Sequence, residues 1–306
     1  MKILVTGATG YIGDLLIPKL LQKGYFVRCL ARKPENLSGR HWNTAANPVE
    51  IFAGDVLDPS SLTNSLNGID VTYYLIHSMS AGEKGFEDRD RQAAENFSAA
   101  AQQARIRKII YLGGLGHDDT HEKLSHHLKS RQEVGEILRQ SGIPVTEFRA
   151  AIIVGSGSIS FEMIRYLTER LPIMICPKWV SSRCQPIAIR DVLSYLLAAV
   201  EEPKSDGKII EIGGKDILTY REMILGYAKI RGLHRILLQV PVLTPRLSSY
   251  WVNLVTPIPA ALARPLIEGL KNDVICQNHI ARDIFPFEPM GYEEAVRLAK
   301  LKPFSQ

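Results

Sequence analysis

A chain of 306 residues with 45% hydrophobic content carries enough apolar material for one large domain or two smaller ones, which excludes disorder as its main state. Its formal charge of +5 is small against 37 basic and 32 acidic residues, and the basic residues are scattered rather than gathered into one run. Nucleic acid is therefore not an expected partner.

In chain order, Met1-Lys2 runs straight into the apolar Ile3-Leu4-Val5 and then into glycines, too short a lead for a secretion signal. Short aliphatic or β-branched runs bounded by turn residues follow at Tyr25 to Leu30, Val49 to Phe52, Val71 to Ile76, Ile109 to Leu112 and Val145 to Phe148, and each reads as a buried strand. Helical spacing separates them, as in Ile12, Leu15, Leu16 and Leu20, or Phe97, Ala101 and Ala104. Alternating strand and helix predicts an α/β fold, a Rossmann-type doubly wound parallel sheet over residues 1–155. From about Ile159 the rhythm breaks, and residues 156–306 read as a smaller mixed lobe for substrate or partner, expected to pack on the carboxyl edge of the sheet. Within it Asp191 opens a helix bearing Val192, Leu193, Leu196, Leu197 and Val200, and Ile209 to Ile212 reads as a strand. Beyond Leu237, Pro241, Pro245, Pro257, Pro259 and Pro265 allow only short or bent helices.

Cys29, Cys176, Cys184 and Cys276 form no CxxC pair and no zinc-ligand spacing, which fits a reducing cytoplasm rather than a disulfide framework. No stretch reaches the ~20 apolar residues of a membrane span. The apolar, proline-bearing segment from Leu247 to Leu270 reads first as core, with a lipophilic ligand, a partner protein or peripheral contact with the inner membrane as its alternatives. His117, His121, His126 and His127 crowd one region with Asp118 and Asp119, yet lack the companion ligands of a metal centre.

The chemistry-bearing motif is TGATGYIG, Thr6 to Gly13. Gly7, Gly10 and Gly13 fall between a predicted strand and a predicted helix: one for a tight turn, one for close approach of a pyrophosphate, one for helix–strand packing. Thr9, Tyr11 and Ile12 complete that loop, and the helix end supplies free N–H donors. The second strand ends in Arg32-Lys33 instead of the acidic residue that would meet bare ribose hydroxyls, so NADP(H) is preferred over NAD(H). Asp55 and Val56 follow the third strand, where an adenine would lie; a plain turn aspartate is the other reading.

TGATGYIG, RCLARKP, AGDVLDPSSL and QPIAIRDV together resemble the atypical and extended short-chain dehydrogenases/reductases, especially the NmrA-like and complex I accessory-subunit-like branches. YYLIHSM, SHHLKSRQ, EFRAAIIVGSGS and WVSSRCQPIAI are similar to bacterial NAD(P)-binding proteins with an extra C-terminal domain. The resemblance implies a dinucleotide across the carboxyl edge of the sheet, with His77, Ser78, Gly113 and Arg149 among its candidate contacts. It also implies a catalytic serine and a YxxxK pair. Aligned through Ser130-Arg131-Gln132, the lysine place holds Arg131, the tyrosine place His127, and the serine place Gly113 or Gly114. Arg131 can hold ribose or phosphate but cannot release a proton, whereas His127 can act as acid or base near neutral pH. The expected function is a reductase of a lipophilic carbonyl or quinone-type substrate lacking the usual catalytic set. The alternative is a non-catalytic NADP(H) sensor or a stabilising factor for a respiratory or quinone-related complex.

Overall fold

The computed structural model describes residues 1–44, 49–77, 85–117, 124–240, 255–270 and 272–299. Among them the chain forms two compact units, one of residues 1–113, 130–148 and 193–210, the other of 114–129, 149–192 and 211–306.

The first unit begins with β1 (Lys2–Thr6), α1 (Tyr11–Gln22), β2 (Phe26–Ala31), α2 (Glu35–Ser38), β3 (Glu50–Ala53), α3 (Pro59–Leu66), β4 (Val71–Tyr74), α4 (Phe86–Gln103) and β5 (Lys108–Gly114). It continues through α5 (His126–Gln140) and β6 (Val145–Ala150) to the ends of α7 (Ile189–Ala198) and the start of β11 (Ile209–Ile212). The sheet is seven-stranded and parallel, in the order β11-β6-β5-β4-β1-β2-β3. This is the Rossmann arrangement expected from the alternating pattern. The aliphatic runs are fully covered: Ile3, Leu4 and Val5 are buried in β1, Ile109 and Ile110 in β5. Helices α3 and α4 bring Leu62, Leu66, Ala93, Ala94, Phe97 and Ala101 onto Leu4, Tyr74 and Tyr111, building the core of this unit.

Two buried cations are structural. Arg28 on β2 donates to Glu50 at 2.8 Å and to the carbonyls of Ser65 and Asn67 at 2.7 and 2.8 Å. Lys108 on β5 donates to the carbonyls of Ala199 and Glu202 and to Ser205 Oγ, closing the end of α7. Each desolvated charge is thus repaid by hydrogen bonds within its own unit.

The fourth strand stops at Tyr74, two residues short of the apolar run that ends at Ile76. The reason is local. Thr6 Oγ1 donates to the Tyr73 carbonyl at 2.9 Å and accepts from the Leu75 amide at 3.1 Å, so a side chain replaces the ladder where β1 and β4 part.

The second unit contains β7 (Ile153–Val154), α6 (Ile159–Arg170), β8 (Ile173–Cys176), β9 (Arg183–Cys184), β10 (Ile187–Ala188), β12 (Leu218–Thr219), α8 (Tyr220–Ile230) and β13 (Ile236–Gln239). It ends with α9 (Ala260–Gly269), α10 (Ile280–Ile284) and α11 (Tyr292–Leu298). Phe161, Met174, Met223, Tyr227, Leu237 and Val296 share its core. Helix α9 carries Pro265 inside it, and Leu262 packs on a smaller cluster of Met163, Ile258, Ala263 and Ile267. Residues 241–254, with Pro241, Pro245 and Trp251, lie outside the described residues.

Candidate nucleotide site

The strand order reverses direction between β1 and β4, and the crevice at the carboxyl ends of these two strands is where such a sheet takes its ligand. The glycine loop stands on one lip. Gly7 has φ +68°, a left-handed conformation, and a Cβ there would meet the Leu75 carbonyl oxygen at 2.6 Å. A Cβ on Gly13 would meet the Gly7 carbonyl oxygen at 2.4 Å, so the helix can pack on the loop only without a side chain. Gly10 differs: a Cβ there would approach only the Gly7 carbonyl oxygen, at 3.2 Å. Its lack of a side chain leaves the loop surface open rather than relieving internal crowding.

Gly10 also caps α1 without any side-chain acceptor, which leaves the first amides of the helix without a side-chain cap. Thr9 and Gly10 are exposed, Tyr11 and Ile12 half-buried. A donor set with an uncapped helix end and an open glycine fits a pyrophosphate. Asp14 in the first turn of α1 accepts from Trp42 Nε1 at 2.9 Å and pairs with Arg40 at 3.1 Å, tying the helix to the segment after α2.

Arg32 and Lys33 follow β2 directly, both are exposed, and among the described residues neither side chain has an acidic partner. Asp55 caps its own turn, accepting from the Leu57 amide at 3.0 Å, while Val56 is buried in the core and its carbonyl accepts from Asn96 at 3.0 Å. The turn reading of Asp55 thus accounts for one of its two carboxylate oxygens.

On the other lip, His77 follows β4, and its Nδ1 lies 2.7 Å from Asp90 Oδ2 on α4. Asp90 is buried, and the Ser130 hydroxyl donates to the same oxygen at 3.2 Å. The Phe86 ring stands edge-on to the imidazole, 6.2 Å between centroids. Burial holds the His77 pKa below its ordinary range; its hydrogen bond to the Asp90 carboxylate opposes this, and the nearby Arg131 charge adds to it. Ser78 lies outside the described residues.

Gly113 is the penultimate residue of β5, where a Cβ would lie 3.2 Å from the Tyr111 ring and 3.4 Å from the Phe148 carbonyl oxygen. Packing there leaves little room for the serine of the usual catalytic set. Arg131 on α5 donates to the Leu112 carbonyl, lies 5.7 Å over the Tyr111 ring, and its own carbonyl accepts from the Tyr111 hydroxyl at 2.8 Å. Its Nε is buried with no hydrogen-bond partner among the described residues. His127 sits in the first turn of α5 and Arg149 on β6, both half-buried and both in the second unit.

The cysteines offer no thiolate. Burial pushes Cys29 and Cys176 up, Cys184 up to about 11 and, with Glu211 beside it, Cys276 up to about 12.

Asp90, Ser130, Asp14 and Thr6 were not anticipated as parts of the site. One signal existed for Asp90: it falls on the stripe of Ala93, Ala94, Phe97 and Ala101, and a carboxylate in an apolar stripe needs a buried partner.

The crevice, the uncapped helix end and the glycine loop define a dinucleotide-binding Rossmann protein. Residues 7–164 match the NAD(P)H-binding family, just over half of the chain, and the protein belongs to that family. Its neighbours are consistent with the NmrA-like atypical short-chain dehydrogenases/reductases. The (4-alkanoyl-5-oxo-2,5-dihydrofuran-3-yl)methyl phosphate reductase of Streptomyces griseus is 25% identical over 75% of this chain and 74% of its own. The photosystem II assembly factor Ycf39 of Cyanophora paradoxa is 23% identical over 79% and 72%. Triphenylmethane reductase of Citrobacter sp., solved with NADP(H), superposes with a TM-score of 0.75 at 19% identity, over 98% of this chain and all of that one. Among the described residues no helix is long and apolar enough to cross a membrane.

Proposed function

We propose that this protein is an NADP(H)-dependent reductase acting in the cytoplasm on a lipophilic carbonyl or quinone-type substrate, with His77 as its proton donor. The observation that carries the reading is the buried Asp90 carboxylate on His77 Nδ1 at 2.7 Å. Bound NADPH would supply a hydride. The amides at the start of α1 would hold the pyrophosphate across Gly10, and Arg131 Nε would donate to the ribose or a phosphate. Asp90 accepts from Nδ1 and favours the protonated imidazole that burial opposes, and in that protonated form the second N–H, at Nε2, is the acid. His127, one helical turn ahead of Arg131, is the second imidazole that could relay the proton. A tyrosine and its lysine are replaced in this scheme by a carboxylate-oriented histidine.

Arg32 and Lys33 support the preference for the phosphorylated cofactor, because two exposed cations with no acidic partner among the described residues match a 2′-phosphate. Arg32→Ala/Lys33→Ala should weaken NADPH binding by roughly 10–150-fold, the equivalent of one charge-assisted hydrogen bond, and leave NADH binding unchanged. Calorimetric titration with both cofactors checks this; equal losses for the two would end the phosphate-clamp assignment. NADPH oxidation against enones, quinones and aldehydes tests the reaction itself.

The relation to Ycf39, together with Gly113 and Arg131 at the serine and lysine places, favours a second reading, a non-catalytic NADP(H)-binding stabilising factor. Single-turnover measurements separate the two. A chain that binds NADPH yet oxidises none of it with any acceptor is a binding module.

A further inference from the structure

Strands β8 and β13 pair in parallel, with Ile236 opposite Ile173 and Leu238 opposite Ile175. One face of this ribbon sends Met174, Cys176 and Leu237 into the core of the second unit. The opposite face should be polar by the two-residue alternation of a half-buried strand. Instead Ile173, Ile175, Ile236 and Leu238 stand there, exposed by 54, 52, 56 and 51%. A lone exposed aliphatic is ordinary, but these four adjoin one another along and across the strands.

The rim is cationic. Arg235 precedes β13 and donates to the carbonyls of Thr168 and Glu169 at 2.5 and 3.2 Å, and Arg221 donates to the Leu237 carbonyl at 3.2 Å. Carbonyl partners leave a guanidinium its full charge, and neither arginine has a carboxylate partner among the described residues. Arg170, at the end of α6, donates to the Val255 carbonyl at 2.6 Å. Of the acids beside these arginines in sequence, Glu169 is engaged by Arg165, Arg231 and Tyr227, and Glu222 closes the capping box of α8 with Thr219.

We propose that this face docks on an anionic lipid bilayer, the four aliphatic side chains entering the interface and the arginines meeting lipid headgroups. Two physical arguments select that occupant. Four half-exposed aliphatic side chains fall well short of the roughly 800 Å² per partner of a stable protein interface, and among the described residues no aromatic side chain stands with them on this face of the ribbon. A second copy would also bring one cationic rim against another. Insertion of a small aliphatic patch assisted by charge needs neither. The inference is independent of the reductase reading.

The full-length protein is sedimented with vesicles of phosphatidylcholine alone and with about 30 mol% phosphatidylglycerol added. Binding to the anionic vesicles only, weakened about tenfold as salt rises from roughly 0.1 to 1 M, is the expected result. Ile175→Glu/Leu238→Glu should lower it at least tenfold with NADPH binding retained. Ile175→Thr/Leu238→Thr, which keeps strand-forming side chains, should do the same if the glutamates prevent folding. Equal binding to neutral vesicles, no binding to either, or binding unchanged in a folded variant overturns the proposal. So does loss of a dimer in the variants, which would assign the patch to a second copy.

Discussion

Gly13→Val is expected to yield a destabilised protein that no longer retains NADPH, whereas Gly10→Ala should be as stable as the parent and equally unable to bind. The contrast follows from what each added Cβ meets. At Gly13 it meets the Gly7 carbonyl oxygen at 2.4 Å and Ala8 Cα at 2.9 Å, both main chain, so the loop or the helix must move. Overpacking of that kind costs about 1–3 kcal/mol, which lowers the melting temperature by roughly 2–12 °C in a large domain. At Gly10 the one close atom is the Gly7 carbonyl oxygen at 3.2 Å, a tight contact relieved by a shift of about a few tenths of an ångström, and the methyl group would face the pyrophosphate proposed to lie over the loop. Melting within about 2 °C of the parent and a loss of roughly 10–150-fold in NADPH affinity, one hydrogen bond to a charged group, are the expected readings. If Gly10→Ala binds NADPH normally, the crevice does not hold the pyrophosphate over this loop.

The second large effect concerns His77. Its replacement by alanine should reduce kcat for NADPH-dependent reduction by about 10²–10⁴-fold while leaving NADPH binding within a few-fold. As the acid, His77 must be protonated, so activity falls as pH rises through its pKa, which burial sets below the ordinary imidazole range. Asp90 opposes that depression, and Asp90→Asn should therefore move the limb of the profile further to lower pH. A merely structural role for Asp90 would lower the rate at every pH without moving the limb. The same shift has a stability counterpart. Because the unfolded chain takes up the proton first, the contribution of neutral His77 is complete at neutral pH and declines as pH falls through the ordinary range toward the folded pKa. Activity that persists in His77→Ala and vanishes in His127→Ala would transfer the donor role to α5.

Much of the first unit was legible because its strands are buried on both faces and so read as unbroken aliphatic runs, as in Ile3-Leu4-Val5. The glycines were legible because each has its own steric reason. Long-range pairing was not: Ser130 reaches Asp90 across 40 residues, and nothing local in HLKSRQ marks its hydroxyl as a buried donor. The end of β4 was overrun for a similar reason, since Leu75 and Ile76 continue the apolar run after Thr6 has ended the ladder. In the second unit, IMIC and ILLQ carry apolar residues on both faces, so composition conceals that half of them meet solvent.

The hydroxyl of Thr6 has a further consequence. It bridges two strands whose continuations run in opposite directions, and the mouth between them cannot widen without breaking two hydrogen bonds at once. The gap is a fixed gauge rather than a jaw. The Leu75 amide, held by that hydroxyl, should therefore exchange with solvent deuterium slowly whether or not a nucleotide is bound, while the amides of the glycine loop should slow only on binding. One lip reports the frame, the other its occupancy.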